Sequence, residues 1–130
     1  TERKHARRVQ FVTGHDRHGR LPSDLDLAAL ADPKATTCLY MAGRTAEDLA
    51  RHLVGEGLPP TTAAVVMTNV SRRDEATLRV TVGDLAAGTA LPGHGPVMVM
   101  IGAAMAQPNL PQPRHHPAAR LRGEPYFLEA

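Results

Sequence analysis

The stretch TTCLYMAGRTAEDLARHLVGEGLPPTTAAVVM, residues 36–67, decides the fold, because it contains two apolar runs separated by an amphipathic segment. Residues 36–41 and 63–67 are short, β-prone and almost wholly apolar, which predicts strands buried on both faces. Leu49 and Leu53 recur at helical spacing between the two runs. The order strand, helix, strand is typical of an α/β protein.

Both ends of the intervening helix carry sequence signals. Thr45 is a good N-cap, and Asp48 stands three residues later, where a capping box usually has Glu. Gly55 and Gly57 end the helix before a connector that contains two prolines.

Three further runs extend the sheet on either side of this stretch. Residues 9–13 are a short, β-prone and largely apolar run, and residues 97–101 are continuously apolar, so we expect two more buried strands. Residues 77–82 alternate between apolar and polar side chains, which predicts a half-exposed, antiparallel edge strand.

Short helices are expected to accompany these strands. One enters through Ser23 or Asp24 as N-cap and stops at Asp32-Pro33, and another lies within residues 83–90. The elements together predict one α/β domain, a mixed five-stranded sheet flanked by helices, with helical layers on both faces.

Composition changes at both ends of the chain. Residues 1–8 are polar and basic and are interpreted as a linker or arm, and the domain itself covers residues 9–106. Residues 107–130 form a Pro-rich tail, whose five prolines predict an absence of regular secondary structure over residues 108–125. The apolar triplet Tyr126-Phe127-Leu128 near its end could still dock locally.

Charge and hydropathy exclude several classes of protein. The net charge of +2 is too small to indicate nucleic-acid binding, and no apolar run reaches the roughly 18 residues of a membrane span. Without an apolar signal region near the start, a cytoplasmic location is expected. The single cysteine, Cys38, excludes an internal disulfide and is expected to be a buried, inert thiol.

Three short groups follow predicted strands, where ligand sites of open α/β sheets are found. The first is the loop from Thr13 to His18, which either binds a metal through His15, Asp16 and His18, or touches a ligand or neighbouring domain, or is only solvated.

The second group, residues 40–43, offers Met41 as a soft apolar surface for a purine, or as core packing. The third, residues 68–71, contains Asn69 and Ser71, which often are only turn formers. The chain has no Gly-rich phosphate loop, no Ser-His-Asp arrangement and no CxxC motif.

In order and spacing, five segments resemble one known family. VQFVTGH at 9–15, LDLAALA at 25–31, TTCLYMA at 36–42, AVVMTNVS at 64–71 and GPVMVMIG at 95–102 are similar to the second domain of uroporphyrinogen-III C-methyltransferases, which are tetrapyrrole methylases. The Thr-Gly-His and Tyr-Met segments carry the resemblance together.

This resemblance implies a two-domain enzyme with a cleft between the domains. S-adenosylmethionine lies in that cleft, uroporphyrinogen III enters from the open side, and two methyl transfers give precorrin-2 for sirohaem and cobalamin synthesis. The resemblance also implies a homodimer, and it places His15 on the substrate side of the cleft.

Cofactor contacts are implied at the ends of the second and third strands. They are Met41 and Ala42, then the turn of Asn69 and Val70. Val70 stands where the family usually has Gly or Ala, and Thr68 replaces a Glu, so the adenosine site could be crowded.

The family's first domain, with its Gly-rich loop and acid–base residues, has no counterpart in this chain. We therefore expect no catalytic residue and no activity in the isolated chain, and the missing N-terminal domain is its implied partner. A non-catalytic binding or interaction module on the same scaffold remains the alternative, and a small metal-dependent hydrolase using the His15 loop is a third.

Overall fold

The computed structural model describes residues 2–106. The predictions for residues 107–130, including the Pro-rich tail, lie outside the described residues. In chain order the elements are β1 (Arg8–Thr13), α1 (Leu27–Leu30), β2 (Ala35–Tyr40), α2 (Ala46–Gly55), β3 (Ala63–Thr68), β4 (Ala76–Thr81), α3 (Val82–Ala86), β5 (Val97–Ile101) and a 3-10 helix (Ala103–Ala106).

The five strands form one mixed sheet in the order β1-β2-β5-β3-β4. β1 pairs with β2 in parallel, whereas β5 is antiparallel to both β2 and β3, and β4 is antiparallel to β3. β1, β2 and β3 therefore run in one direction, and their carboxyl ends meet the start of β5 at a single edge of the sheet. The predicted mixed sheet and the antiparallel edge strand β4 are confirmed.

All three α-helices pack on the same face of this sheet. Their buried side chains join the inward residues of β2, β3 and β5 in one core, which includes Leu39, Val66 and Val99. Gln10 on β1 points to the same side, since its amide donates to the carbonyl of Ala29 in α1 and to the Thr37 hydroxyl. Within residues 2–106 the other face carries only the 3-10 helix, so the prediction of helical layers on both faces is wrong there.

β1 differs from its prediction as a buried strand. It lies at an edge of the sheet, and one of its faces is open, with the Phe11 side chain 67% exposed. The run 9–13 predicts burial on both faces, but the sequence of a strand does not show whether a helix covers each of its faces. The segment before it packs on the domain, since Ala6 is buried and Arg7 N–H donates to the Lys34 carbonyl.

Two of the short helices begin or end at residues other than those predicted from the sequence. Asp26, rather than Ser23 or Asp24, caps α1 by accepting the Ala29 N–H. α3 is shorter than predicted and begins with a capping box between Thr81 and Asp84. The Thr81 backbone N–H, which donates to the Asp84 carboxylate at 2.8 Å, and next the Thr81 hydroxyl hold the pKa of the Asp84 carboxyl below its ordinary value.

Two further observations concern burial and length. Cys38 is buried as predicted, and burial raises the pKa of its thiol above the ordinary value. Among the helices of residues 2–106, none is long and apolar enough to cross a lipid bilayer.

Candidate functional site

The three loops that follow β1, β2 and β3 are joined at the carboxyl edge of the sheet. Gly14 N–H donates to the Tyr40 carbonyl at 2.6 Å, which ties the first loop to the second. Asn69 N–H donates to the Pro96 carbonyl at 3.0 Å, which ties the third loop to the turn before β5. All three groups that the sequence singled out therefore lie along one edge.

Gly14 permits the closest approach between two of these loops. A Cβ at this position would lie 2.9 Å from both the Ala42 Cα and the Tyr40 carbonyl oxygen, and neither backbone atom can move aside alone. The Thr45 hydroxyl donates to the Gly14 carbonyl, so it makes no cap hydrogen bond to α2. The predicted Thr45–Asp48 capping box is thus wrong, because the threonine side chain stabilises the site instead.

Three residues at this edge adopt left-handed backbone conformations that non-glycine residues seldom occupy. They are Met41 at φ 58°, Asn69 at φ 52° and Ser71 at φ 66°. Such conformations each cost about 1 kcal/mol or more and are concentrated at functional sites. Their clustering after β2 and β3 marks this edge as the candidate site.

Asn69 holds the third loop in place through its side chain. Asn69 is buried, and its Nδ2 donates to the Asp74 carboxylate and to the His94 carbonyl, each at 2.7 Å. A Cβ on Gly95 would lie 2.1 Å from Asn69 Oδ1, so only glycine fits beside this amide. The Asn69 amide therefore stabilises the loops through hydrogen bonds within the protein.

The sequence interpretation missed the roles of Asp74, His94 and Gly95. Asn69 is 25 positions from His94, although only five from Asp74, and the cluster Pro92-Gly93-His94-Gly95-Pro96 was the one sequence signal of a special turn.

The four predicted cofactor residues divide into two pairs by exposure. The side chains of Met41 and Val70 are 53% and 47% exposed, so both present apolar surface at the edge. Ala42 and Asn69 are buried and support the turns from beneath. The structure thus brings all four residues to one edge, but only Met41 and Val70 offer side chains to a ligand.

The His15 loop is organised by its own polar groups. His15 Nδ1–H donates to the Asp16 carbonyl at 2.9 Å. The Asp16 carboxylate accepts N–H bonds from Arg20 at 3.0 Å and His18 at 2.7 Å. These bonds, that from Arg20 first, hold the pKa of the Asp16 carboxyl below its ordinary value. Residues 2–106 contain no cluster of three metal-ligating side chains.

A shallow depression lies beside the site rather than within it. It borders the start of α2. Met41 and Val70 are not among its lining residues, which are Gly43, Arg44, Ala46, Glu47, Leu85, Thr89 and Leu91. Met41 and Val70 therefore lie on an open surface, outside this depression.

Thr68, where the family resemblance implies Glu, is fully buried, and its hydroxyl has no hydrogen-bond partner within residues 2–106. A buried unpaired hydroxyl is destabilising. Replacing Thr68 with valine, which has nearly the same shape, is expected to raise the free energy of unfolding by about 1 kcal/mol in urea denaturation.

Thr37→Val is the matched control, because the Thr37 hydroxyl accepts a hydrogen bond from Gln10 at 2.8 Å. The Thr37→Val variant is expected to have a free energy of unfolding that is lower by about 1 kcal/mol. If both valine variants lose the same free energy of unfolding, the Thr68 hydroxyl must form a hydrogen bond in solution.

Comparison with known proteins identifies the family. Residues 3–86 match the Tetrapyrrole (Corrin/Porphyrin) Methylases. Since that match covers more than half of the chain, the chain belongs to the tetrapyrrole methylase family.

Two relatives define the similarity more closely. The chain is 37% identical over 125 residues to the uroporphyrinogen-III C-methyltransferase of Paracoccus denitrificans, a match that covers 93% of this chain and 43% of the relative. It is 38% identical over 104 residues to the siroheme synthase of Gluconacetobacter diazotrophicus, covering 78% of this chain and 22% of the relative. The chain thus spans less than half the length of these relatives.

Solved structures share the fold. The native uroporphyrin III C-methyl transferase of Thermus thermophilus matches with a TM-score of 0.67 at 22% identity, covering 78% of this chain and 43% of that one. A structure of the Thermus protein with S-adenyl homocysteine matches at a TM-score of 0.65 and 21% identity, covering 77% and 44%. The α/β fold predicted from the sequence is confirmed.

Proposed function

We propose that this chain is the second, cofactor-contacting domain of an S-adenosylmethionine-dependent uroporphyrinogen-III C-methyltransferase. The single observation that carries the proposal is the pair of exposed apolar side chains, Met41 and Val70, on left-handed turns at the carboxyl edge. Only β5 lies between the two strands that end in these turns, so the turns are about 10 Å apart. A nucleoside can rest across this span.

The chain's residues fit one side of such a cofactor. Met41 offers a soft, polarisable side chain to the flat face of an adenine, and Val70 bounds the other end of the surface. Gly14, Ala42 and Asn69 hold both turns in fixed positions. When bound, S-adenosylmethionine supplies an electrophilic methyl group, and the task of the protein is to align it with a pyrrole carbon of uroporphyrinogen III.

The remaining parts of the proposed enzyme belong to the relatives' additional length. The part of the Paracoccus relative that this chain does not match is more than half of that protein. We assign the second wall of the cleft and the acid–base groups to such a partner domain. His15 stands on the substrate side, and with Nδ1 bonded to the main chain its Nε2 is the ring nitrogen left for the tetrapyrrole.

The product of the complete enzyme is precorrin-2, the branch point to sirohaem and cobalamin. A homodimer and a cytoplasmic location belong to the same proposal. The relatives' names, uroporphyrinogen-III C-methyltransferase and siroheme synthase, support the reaction in this proposal.

The Val70 side chain provides a direct test of the cofactor surface. Val70→Gly is expected to strengthen the binding of S-adenosylhomocysteine to the chain in calorimetric titration, because a branched side chain is removed from the adenosine surface. Val70→Ala is the graded control, and its affinity is expected to lie between those of valine and glycine. Weaker binding by both variants would show that Val70 makes a favourable contact and does not crowd the site.

A non-catalytic binding module is the second candidate. Three departures from the family pattern favour it, namely Thr68, Val70, and Ala103, which follows Gly102 where the resemblance implies Glu. Fusing the unmatched part of the Paracoccus relative to this chain separates the two candidates. Methyl transfer to uroporphyrinogen III by the fusion supports the enzyme, and a folded fusion that binds cofactor product without turnover supports the module.

A further inference from the structure

A positively charged group of side chains lies at the end of the carboxyl edge nearest β1. We call Arg17, Arg20 and Arg44 the basic cluster. Arg17 and Arg20 belong to the loop after β1, Arg44 belongs to the loop after β2, and all three residues are exposed. Two neighbouring loops therefore bring guanidinium groups to one end of this edge.

The loop after β1 holds its arginines on a closed turn. Asp16 N–H donates to the Arg20 carbonyl at 2.7 Å, and Gly19 N–H donates to the Asp16 carbonyl at 3.0 Å. Arg17 Nε–H donates to His18 Nε2 at 3.1 Å, so the Arg17 side chain lies along the turn. Together with the bonds already described for the Asp16 carboxylate, these contacts fix the positions from which the basic side chains extend.

Arg44 joins this turn from the neighbouring loop. A Cβ on Gly19 would lie 3.7 Å from Arg44 Nη1, so the Arg44 guanidinium lies beside the turn. The Glu47 carboxylate on α2 is paired with Arg51. In the part of the chain that the structure describes, neither Arg17 nor Arg44 forms an ion pair with a carboxylate. The described residues therefore leave both guanidinium groups free to bind an anionic ligand.

Charge is distributed unevenly along the carboxyl edge. In the loop after β3, residues 72–75 are RRDE, so their formal charges cancel. The basic cluster has only Asp16 against three arginines, and Asp16 Oδ2 lies 3.9 Å from Arg20 Nε. An anionic ligand is therefore attracted to the β1 end of the edge rather than to the β3 end.

The basic cluster lies next to the proposed cofactor surface. Met41 is in the same loop as Arg44, and Val70 lies on the other side of Met41, beyond β5. The edge thus presents, in order, the basic cluster, Met41 and Val70. A ligand on the basic cluster would lie beside the cofactor without occupying the same surface.

We propose that the basic cluster binds carboxylate side chains of the tetrapyrrole substrate and so orients the macrocycle towards the cofactor. This inference rests on the proposed function, which supplies the substrate. Uroporphyrinogen III carries an acetate and a propionate on each pyrrole ring, and planar guanidinium groups bind carboxylates through paired hydrogen bonds. Arg17 and Arg44 make the main contacts, since Asp16 partly neutralises Arg20.

Titration of the complete 130-residue chain with uroporphyrin III, the oxidised and coloured form of the substrate, tests this proposal. Absorbance is expected to report binding at low ionic strength that weakens as salt is added, because exposed charges are screened. Arg17→Ala and Arg44→Ala are each expected to raise the Kd about threefold, and the double variant about tenfold. Arg44→Lys is expected to raise it less than Arg44→Ala, because lysine keeps the charge but not the planar fork.

Arg7→Ala is the matched control, because it removes the same charge from an exposed residue at the opposite edge of the sheet, just before β1. Its Kd is expected to equal that of the unmodified chain. With coproporphyrin III, in which methyl groups replace the acetates, the Arg17 and Arg44 variants are expected to change the Kd less. An unchanged Kd in the double variant, an equal rise in Arg7→Ala, or no binding by the unmodified chain would overturn the proposal.

The fusion with the unmatched part of the Paracoccus relative separates this inference from the proposed function. In that fusion, the Arg17 and Arg44 double variant is expected to raise the KM for uroporphyrinogen III. If the fusion turns over and the double variant leaves this KM unchanged, the role of the basic cluster is wrong and the proposed function stands. If the fusion transfers no methyl group while the Kd values for uroporphyrin III change as expected, the proposed function is wrong and the basic cluster stands.

Discussion

Replacing Gly95 with alanine is expected to lower the free energy of unfolding by about 3 kcal/mol. Gly95 has φ 126°, which strains any other residue, and its added Cβ would overlap Asn69 Oδ1. Asn69 is buried and bonded to Asp74 and His94, so moving its side chain aside breaks two hydrogen bonds. Urea denaturation followed by circular dichroism measures the loss.

Gly57→Ala is the matched control for this prediction. Gly57 also has a positive φ, of 101°, but a Cβ there meets nothing within 4 Å. The loss at Gly57 is expected to be only the backbone strain, about 1 kcal/mol. Equal losses at Gly57 and Gly95 would show that the Asn69 side chain does not fix the third loop.

The isolated chain is expected to show no methyl transfer to uroporphyrinogen III, and to bind S-adenosylhomocysteine with a Kd no tighter than about 1 mM. The reason is geometric, because Met41 and Val70 lie on an open surface that supplies one wall of the proposed cleft. Binding to a single wall must order ligand and loops with few contacts. Without a second wall, the near-attack alignment of sulfonium methyl and pyrrole carbon is also lost.

The fusion with the unmatched part of the Paracoccus relative provides the comparison. Calorimetry and a coupled methylation assay on both proteins measure the difference. Tight, saturable binding by the isolated chain, or its turnover of uroporphyrinogen III, would contradict the claim that this chain supplies only one wall of the cleft.

The sheet was predictable because its signals are local. Residues 63–67 are apolar throughout and residues 36–41 are mostly so, and both are central strands in the structure. The alternation in residues 77–82 likewise identified β4 as an edge strand. The exposure of β1 was not predictable, since an apolar run has the same composition whether its second face is covered by a helix or open.

The site was predictable to the level of its loops, but not of its hydrogen bonds. Carboxyl ends of parallel strands meet at one edge, so Met41 and Asn69 could be placed together before the structure was known. The Thr45 hydroxyl donates to the Gly14 carbonyl, which lies 31 positions away in the sequence. Capping rules consider only neighbouring residues, so they could not predict this hydrogen bond. The close contact between Asn69 and Gly95 also joins residues that are far apart in the sequence.

The central claim is that the turns at Met41 and Val70 form the cofactor-contacting surface. Titration of the labelled chain with S-adenosylhomocysteine, followed by amide chemical shifts, tests it most directly, since this measurement detects weak binding residue by residue. The account predicts shifts confined to residues 41–43 and 69–71 and the His94–Pro96 turn, with none at Gly102 on the opposite edge of the sheet. Shifts centred elsewhere, or none at millimolar ligand, would contradict it.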